Sequence, residues 1–498
     1  MDDRSEASRL DGLLWLTSAF LAGAVIMALE MLAFRLYAPY FGYSIYVWGN
    51  MISVVLLALA LGYALGGAGA DLSRDDGPLF GLILGSGIYL TLVSLFLHPL
   101  LEVLAGFGDL FGSVLATLIV FAPPMTGLAS ISPFVIRLQA RQERVGRTAG
   151  TVYAVSTLGS ICGIAATTFG LIPSLGSRAT LSVACGIVLV LATIGLARRR
   201  RLAVLGGATI VLLPLASRPA LEPDTVWIDE SPYNQVQVRS RDGFVGLVLN
   251  RGDLIQSAIR KDGGFTYQVF DQWALGPLLV PARRVLVLGM GAGASIAALR
   301  GTAPSAEVTA VELDPAVVEA GRRFFGLEPG APGLEVHVAD ARRWLRHDAS
   351  ASYDLVQLDV YQGGPTMPFY LTTVEFFALL RERMRPEALL MMNVVDPGRD
   401  RILLSAVAAT LEKVFAGLVV LSNAQGNHLV FASTKRRDAA WIRTRLREAE
   451  VPETLVPLVE SAIAAVVDLQ PPPGAQVLRD DHAPVEALTR RARARSPE

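Results

Sequence analysis

Long apolar runs alternate with short polar loops through the first 217 residues of the chain. Six of these runs approach the roughly 20 residues that an α-helix needs to cross the hydrocarbon core of a bilayer. They occupy residues 13–36, 46–68, 79–101, 110–131, 148–172 and 179–197. A seventh run, 202–216, is shorter and contains Pro214. The pattern predicts an α-helical transmembrane domain over residues 1–217, for which a very apolar soluble helical domain is the weaker alternative.

The basic residues in the loops between these runs predict how the chain is oriented. Arginines are concentrated between the fourth and fifth runs and directly after the sixth, whereas loops 102–109 and 173–176 contain no lysine or arginine. Because Lys and Arg concentrate in cytoplasmic loops, we expect a multi-pass protein of the cell membrane with its N-terminus in the cytoplasm. A crossing at 202–216 would place the rest of the chain outside. The shortness of that run favours a cytoplasmic C-terminal half.

Two ionisable residues, Glu30 and Arg35, lie near the end of the first run beside a group of tyrosines. Ionisable residues inside a span mark functional sites by default. We prefer the more ordinary interpretation, a helix-end ion pair within an interfacial aromatic belt, because both charges lie close to the predicted boundary.

The pattern then changes to short apolar runs separated by polar turns. Residues 218–224 form a predicted linker. Residues 234–240 and 244–249 alternate between apolar and polar positions around a turn, which is typical of a β-hairpin. A third strand is expected over 254–258. We therefore predict a small β region over residues 225–282.

A glycine-rich turn follows the next apolar strand, residues 285–288. The glycines of this turn are Gly289, Gly291 and Gly293. A helix is expected over 294–299, and a second apolar strand, 308–311, ends at Glu312. Such a turn lets the backbone approach a ligand at the start of a helix. An acid about twenty residues further on can accept hydrogen bonds from the two hydroxyls of a ribose. The complete unit predicts nucleoside binding rather than a merely structural turn.

Two further apolar strands also end in acids. Residues 336–339 precede Asp340, and residues 355–358 precede Asp359. Ligands of open α/β sheets bind beyond the carboxyl ends of the parallel strands, so we expect these acids to lie near Glu312. One such acid is readily explained as a helix cap. Three in successive units favour a binding site.

Together these patterns predict a Rossmann-like α/β domain over residues 283–436, followed by C-terminal helices and a tail over 437–498. Composition agrees with this division, since 52% of the residues are hydrophobic and only 18% are charged. Cys162 and Cys185, both in apolar runs, exclude a disulfide scaffold and a cysteine zinc site. The net charge is −1, and the basic blocks are too short to indicate nucleic acid as a partner.

Residues 230 to about 393 resemble the spermidine synthases (polyamine aminopropyltransferases), a family with the class I methyltransferase sheet. The matching segments are 230–233 (Glu-Ser-Pro-Tyr), 265–267, 285–293, 311–314, 339–342, 353–359 and 369–377. The membrane half resembles a branch of this family in which several spans precede such a domain. There, too, a Glu and an Arg occur as at Glu30 and Arg35, and the chain ends much as in residues 480–486, Asp-Asp-His-Ala-Pro-Val-Glu.

The resemblance implies a role for each residue of the predicted site. Glu312 would bind the ribose, and Asp340 would bind the adenine amino group. Asp359, with Tyr267 nearby, would help to deprotonate an acceptor amine so that it can attack the carbon beside the sulfonium. The turn beneath the nucleoside would be formed by Gly289, Gly291 and Gly293. The residues expected to contact the substrate are Asn234, Gln268 and Gln362.

The implied co-substrate is decarboxylated S-adenosylmethionine, or S-adenosylmethionine itself, and no metal is expected. The partners we expect are a small-molecule amine, the lipid bilayer and a second copy of the chain in a homodimer.

Four positions depart from the soluble members of that family. Ala292 stands where they have an Asp that meets the ammonium of the donor, and Gln362 stands where they have a second acid that binds the diamine. Gln268 and Val269 replace a His-Glu pair. Fewer carboxylates weaken a site for polycations. Alanine at 292 also removes a repulsion against the carboxylate that undecarboxylated S-adenosylmethionine carries.

Three functions remain open on these residues. The first is aminopropyl transfer to an amine, which Asp359 and Tyr267 favour and which we adopt. The second is methyl or alkyl transfer from S-adenosylmethionine to a membrane-associated substrate. The third is a nucleoside-binding module that supports the membrane domain without turnover. Ala292 and Gln362 favour the second and third.

Overall fold

The chain is described by a computed structural model. The described residues are 2–42, 44–73, 75–140, 144–197, 200–210, 223–250, 254–266, 268–348, 352–361, 364 and 366–495. They form two compact units, Met1–Glu222 and Pro223–Glu498.

The described secondary structure of the first unit is entirely helical. The helices are α1 Asp2–Phe41, α2 Ile45–Leu72, α3 Gly77–Leu95, α4 Leu97–Ala105, α5 Asp109–Val120, α6 Ala122–Ala129, α7 Ile131–Gln139, α8 Val145–Ala165, a π-helical turn Ala166–Leu171, α9 Ile172–Gly195 and α10 Arg200–Ile210. Within the described residues, four stretches are long and apolar enough to cross a membrane, and a bent pair of helices would make a fifth. They are Leu10–Phe41, Ile45–Leu72, Gly77–Leu95, Val145–Gly195 and the pair Asp109–Val120 with Ala122–Gln139. The predicted apolar helical domain is therefore present.

Several of the predicted runs are bent or broken. The third run is interrupted at Phe96, between α3 and α4. The fourth bends by 46° at Phe121, just before two prolines. The fifth and sixth belong to one stretch in which Gly176, with φ +78° and ψ 168°, interrupts the helix at the predicted loop. The end of the seventh run lies outside the described residues.

Glycines let α1 and α8 approach closely. A Cβ at Gly159 would lie 2.0 Å from the carbonyl oxygen of Phe20, and one at Gly163 would lie 2.2 Å from that of Ala24. Only residues without a side chain fit so near a facing backbone, which is a common way to pack helices in lipid.

The second unit begins with an antiparallel sheet of four strands in sequence order. The strands are β1 Thr225–Glu230, β2 Gln235–Arg241, β3 Phe244–Leu249 and β4 Ile255–Arg260. The predicted hairpin is β2 and β3, and its turn residues Asp242 and Gly243 have φ values of 51° and 81°, as a type I′ turn requires. Strand β1 was not predicted from the sequence. It is a half-exposed edge strand without a continuous apolar face.

A mixed sheet of eight strands follows, with strand order β12-β10-β11-β9-β8-β5-β6-β7. The strands are β5 Arg284–Leu288, β6 Glu307–Glu312, β7 Leu334–Val338, β8 Tyr353–Leu358, β9 Met384–Val395, β10 Gly417–Ser422, β11 Asn427–Ser433 and β12 Val467–Asp468. The intervening helices are α11 Gly276–Leu279, α12 Ala294–Arg300, α13 Pro315–Phe324, α14 Ala341–His347, α15 Val374–Glu382, α16 Ile402–Leu411, α17 Ala439–Glu448, α18 Val456–Ala465 and α19 Val485–Ala494. Strands β5, β6, β7, β8 and β9 run parallel to one another. Strand β11 is antiparallel to both β9 and β10.

The central strand β5 shows why the strands of this sheet have continuously apolar sequences. Leu286 and Leu288 belong to one apolar cluster, whereas Val285 and Val287 belong to another. Successive side chains of a strand point to opposite faces, so both faces of the sheet are covered. The predicted Rossmann-like α/β fold is confirmed.

Candidate nucleoside and catalytic site

The carboxyl ends of β5, β6, β7 and β8 meet at one edge of the sheet. The ladder places Leu288 opposite both Val311 and Leu358. At the ends of the strands, the amide of Gly289 donates to Val311 O and the amide of Asp359 donates to Leu288 O, each at 2.9 Å. These bonds position the glycine turn between the strands that end at Glu312 and Asp359. The three strands that precede the predicted acids therefore end at the same edge of the sheet.

The glycine positions of this turn leave little room for side chains. Gly289, Gly291 and Gly293 have φ values of 76°, 53° and 96°. A Cβ at Gly289 would lie 2.2 Å from the carbonyl oxygen of Asp359, and one at Gly291 would lie 2.4 Å from Ser257 Oγ. Glycine tolerates both the positive φ and the close approach.

A serine on β4, missed by the sequence analysis, supports this turn. Ser257 is buried, and its Oγ accepts the amide of Ala292 at 3.1 Å. The small sheet therefore helps to shape the edge of the large one. Only the alternation of strand β4 pointed to a buried residue at this position, and nothing in the sequence paired it with the turn.

Glu312 is half-buried directly beside the turn. Its Oε2 accepts the amide of Gly291 and its Oε1 accepts the amide of Asp314, both at 3.1 Å. Burial raises the pKa of Glu312 to about 7, against the opposing effect of these amide bonds. Such a carboxylate is suited to accept hydrogen bonds from a vicinal diol, because donors from a ligand stabilise the ionised form.

Asp340 lies at the end of β7 and starts α14. Its Oδ1 accepts the amide of Arg343 at 2.8 Å, so the acid is the N-cap of this helix. Its Oδ2 accepts the hydroxyl of Tyr370 at 2.7 Å. Asp340 is therefore a helix cap, the role considered above for one such acid. Its Oδ2 keeps a lone pair that can accept a further donor.

Asp359 follows β8 and is bonded to the neighbouring strand β9. Its Oδ1 accepts Nδ2 of Asn393 at 3.0 Å. Burial raises the pKa of Asp359 to about 6, and the bond from Asn393 partly opposes this rise. A carboxylate with a pKa just below neutrality is suited to accept a proton from an ammonium.

Asn393 is the second residue that sequence reasoning missed. It is 6% exposed, and its Oδ1 has no hydrogen-bond partner within the described parts of the chain. Its backbone oxygen accepts the hydroxyl of Tyr361 at 3.0 Å. A lone amide within the apolar run of β9 was the available signal.

Asn234 lies in a buried polar network that joins the two sheets. Its Nδ2 donates to Asp314 Oδ2 at 2.9 Å, and its Oδ1 accepts Nδ2 of Asn250 at 2.8 Å. Asp314 is 1% exposed, also accepts Ser231 Oγ at 2.7 Å, and caps α13 through the amide of Ala316. Substrate contact by Asn234 stays a prediction, and its side chain is already engaged in joining β2 to the start of α13.

Of the remaining predicted residues, one is described and two lie outside the described residues. Gln268 is exposed and precedes the short 3₁₀-helix Val269–Leu275, its amide donating to Thr266 Oγ1 at 3.2 Å. Tyr267 and Gln362 lie outside the described residues. Their roles stay predictions.

Ala292 has an apolar environment. Its side chain is 0% exposed and packs in a cluster that includes Val236 and Leu247 of the small sheet and Val317 of α13. An aspartate at this position would place a carboxylate among apolar side chains, which costs free energy unless the charge is compensated.

Sequence comparison identifies a domain over most of the large sheet. Residues 275–435 match the model of the Spermine/spermidine synthase domain. The match contains the glycine turn, Glu312, Asp340 and Asp359, and excludes the first unit and the small sheet.

Curated relatives match at about 30% identity. A probable polyamine aminopropyl transferase of Bifidobacterium longum is 29% identical over 306 residues, which cover 57% of this chain and 67% of the relative. A polyamine aminopropyltransferase of Vibrio vulnificus is 28% identical over 37% of this chain and 63% of its own length. An eEF1A lysine and N-terminal methyltransferase of Bos taurus is 30% identical over 29% of this chain and 21% of its own length. The chain thus spans two thirds or less of these relatives.

Among solved structures, a probable spermidine synthase from Corynebacterium glutamicum aligns with 53% of this chain and 97% of its own length. The sequence identity is 22% and the TM-score is 0.40.

Proposed function

We propose that this chain, in which residues 275–435 form a spermidine synthase-like domain, is a membrane-anchored aminopropyltransferase. It moves an aminopropyl group from decarboxylated S-adenosylmethionine to an amine acceptor. The anchoring rests on the long apolar helices of the first unit. The relatives named as polyamine aminopropyltransferases support the reaction.

The observation that carries the proposal is the pair of carboxylates on either side of the glycine turn. Glu312 is bonded to the amide of Gly291, and the backbone of Asp359 lies against Gly289. A nucleoside above the turn would meet Glu312 with its ribose. Its sulfonium side would then face the end of β8, where Asp359 lies.

Asp359 would act as the base in this reaction. An alkylammonium has no lone pair, so the acceptor must lose a proton before its nitrogen can attack. The nitrogen forms a bond to the carbon beside the sulfonium, the carbon–sulfur bond breaks, and methylthioadenosine leaves. The proton passes to Asp359, whose pKa of about 6 leaves it mostly ionised at neutral pH. Alignment of the acceptor nitrogen with the carbon–sulfur bond would supply much of the remaining acceleration.

A second candidate is methyl transfer from S-adenosylmethionine to a membrane-associated substrate. The apolar surroundings of Ala292 favour it, because this position provides no carboxylate for the ammonium of a decarboxylated donor. The methyltransferase of Bos taurus among the relatives points the same way.

Product analysis of the purified full-length chain separates these candidates. The protein in detergent is incubated with either donor and a panel of diamines and polyamines, and released nucleosides are identified by mass spectrometry. Methylthioadenosine from the decarboxylated donor supports aminopropyl transfer. S-adenosylhomocysteine from S-adenosylmethionine supports methyl transfer instead, and binding of either nucleoside without turnover supports a non-catalytic module.

Asp359→Asn tests the assignment of the base. The variant should bind methylthioadenosine as the wild type does and lose turnover by roughly 10²- to 10⁴-fold, because it keeps the shape of the side chain and removes the proton acceptor. The control is Asp354→Asn, at the opposite end of β8, where the carboxylate pairs with Arg385 at 2.8 Å. Turnover of Asp359→Asn at the rate of this control would disprove the mechanism.

A further inference from the structure

A segment near the end of the chain, residues 478–485, packs against the elements that carry Asp340. We call it the C-terminal segment. The amide of Val374, the first residue of α15, donates to Leu478 O at 3.0 Å. The amide of Leu478 donates to Oγ1 of the buried Thr410 at 2.9 Å. The segment is therefore hydrogen-bonded to two helices, α15 and α16.

Asp480 of this segment pairs with Arg342 of α14 through two parallel bonds. Arg342 Nη1 lies 2.7 Å from Asp480 Oδ1, and Nη2 lies 2.6 Å from Oδ2. Thr373 Oγ1 also donates to Asp480 Oδ1 at 2.7 Å. Bidentate pairs of this kind are the strong and directional ones. Since Arg342 is only 9% exposed, removing Asp480 would leave a nearly buried charge without its bidentate partner.

Arg342 is also connected to Asp340, through contacts that both residues make with Tyr370. Arg342 Nη1 donates to the backbone oxygen of Tyr370 at 3.0 Å. The hydroxyl of Tyr370 donates to Asp340 Oδ2 at 2.7 Å. A contiguous path of polar contacts therefore joins the C-terminal segment to the acid at the end of β7.

We infer that the C-terminal segment is a positioning element for the base of the nucleoside, with Asp480 acting through Arg342 and Tyr370 to orient the carboxylate of Asp340. This inference rests on the proposed function. It assigns a role to residues 478–485, which the reaction itself does not use.

The group that Asp340 would recognise is the substituent at position 6 of the purine. An amino group donates a hydrogen bond to a fixed carboxylate oxygen. The 6-oxo group of a hypoxanthine base presents an acceptor there, which the carboxylate repels. Selectivity for adenine over hypoxanthine therefore measures how firmly Asp340 is oriented, because a loosely held carboxylate can turn away from the 6-oxo group.

The test is the ratio of dissociation constants for methylthioadenosine and its 6-oxo analogue, methylthioinosine, measured by calorimetry on the full-length chain in detergent. Tyr370→Phe removes the bond to Asp340 and should lower the selectivity about tenfold. Asp480→Asn, two contacts further away, should lower it about fivefold. Asp480→Glu should restore most of it. The control Asp481→Asn changes the adjacent exposed carboxylate and should leave the ratio unchanged.

The outcomes separate this inference from the function on which it rests. A wild type that binds neither nucleoside disproves the proposed function. A selective wild type with unchanged selectivity in both Tyr370→Phe and Asp480→Asn disproves the inference alone. So does an equal loss of affinity for both nucleosides in Asp480→Asn, which indicates a purely structural segment. If Asp480→Asn does not fold, Tyr370→Phe, which leaves the ion pair intact, still decides whether the orientation of Asp340 sets the selectivity.

Discussion

Replacing Asp359 by Asn should stabilise the C-terminal unit at neutral pH, although it removes the proposed base. Burial raises the pKa of Asp359 to about 6 from a usual value of 3.8. The ionised carboxylate is therefore disfavoured in the folded state. An asparagine carries no charge, and its Nδ2 can donate to Oδ1 of Asn393, which lacks a partner within the described chain.

The size and sign of the effect follow from proton linkage. The difference between 6 and 3.8 is about 2 pKa units, and at 1.36 kcal/mol per unit the ionised group costs ~3 kcal/mol. Between pH 3.8 and about 6 the folded state binds more protons than the unfolded state at this residue. The contribution of Asp359 to stability therefore falls as pH rises through this window, and the penalty is complete above about pH 6. Asparagine avoids it, so the gain should be near zero at about pH 4 and largest above pH 6.

Differential scanning calorimetry of the full-length chain in detergent can measure this gain. For a unit of this size, ~3 kcal/mol corresponds to an increase of about 5 °C in Tm. The control is Asp354→Asn, which removes the partner of Arg385 and an acceptor for the amide of Arg284 and should lower Tm. A Tm of Asp359→Asn below that of the wild type at pH 8 would refute the reasoning. So would a gain of equal size at pH 4 and pH 8.

Three further predictions concern the ligand and the membrane. Glu312→Ala should abolish binding of methylthioadenosine in calorimetric titration while Glu307→Ala, at the exposed start of β6, leaves it unchanged; full affinity of the first variant would remove Glu312 from the site. Ala292→Asp should shift competition binding towards the decarboxylated donor, because a carboxylate at 292 repels that of S-adenosylmethionine, and should lower Tm because the residue is buried. An unchanged ratio in a folded variant would show that position 292 does not face the donor arm. Alkaline phosphatase fused after Glu222 should be inactive and a cytoplasmic reporter active, since sulfonium donors are made in the cytoplasm; the reverse would place the second unit outside.

The central part of the fold could be predicted because its local signals agree. Strand β5 is apolar at every buried position since both of its faces are covered. The glycines that follow it are required by positive φ values and by the nearness of Asp359. Local pattern and tertiary environment thus specify the same residues, and Glu312 follows from its place at the end of the next strand.

The parts that could not be predicted depend on pairings between distant residues. Arg342 and Asp480 are separated by 138 positions, and neither residue is unusual in its own surroundings. Asn393 becomes part of the site only because β9 lies beside β8, an order that the sequence pattern does not specify. The interruption at Phe96 involves neither proline nor glycine at that residue, so composition could not place it.

If Glu312 binds the ribose as proposed, its environment makes nucleoside binding a proton-releasing event. With a pKa of about 7 for Glu312, roughly half of the molecules carry a proton on this residue at pH 7 before a ligand binds. Ribose hydroxyls that donate to the carboxylate favour its ionised form, so each binding event should release up to about half a proton to the buffer. The heat measured by calorimetry will then differ between buffers with different enthalpies of protonation, although the affinity at a given pH remains the same. The slope of that heat against the buffer enthalpy counts the protons that leave Glu312.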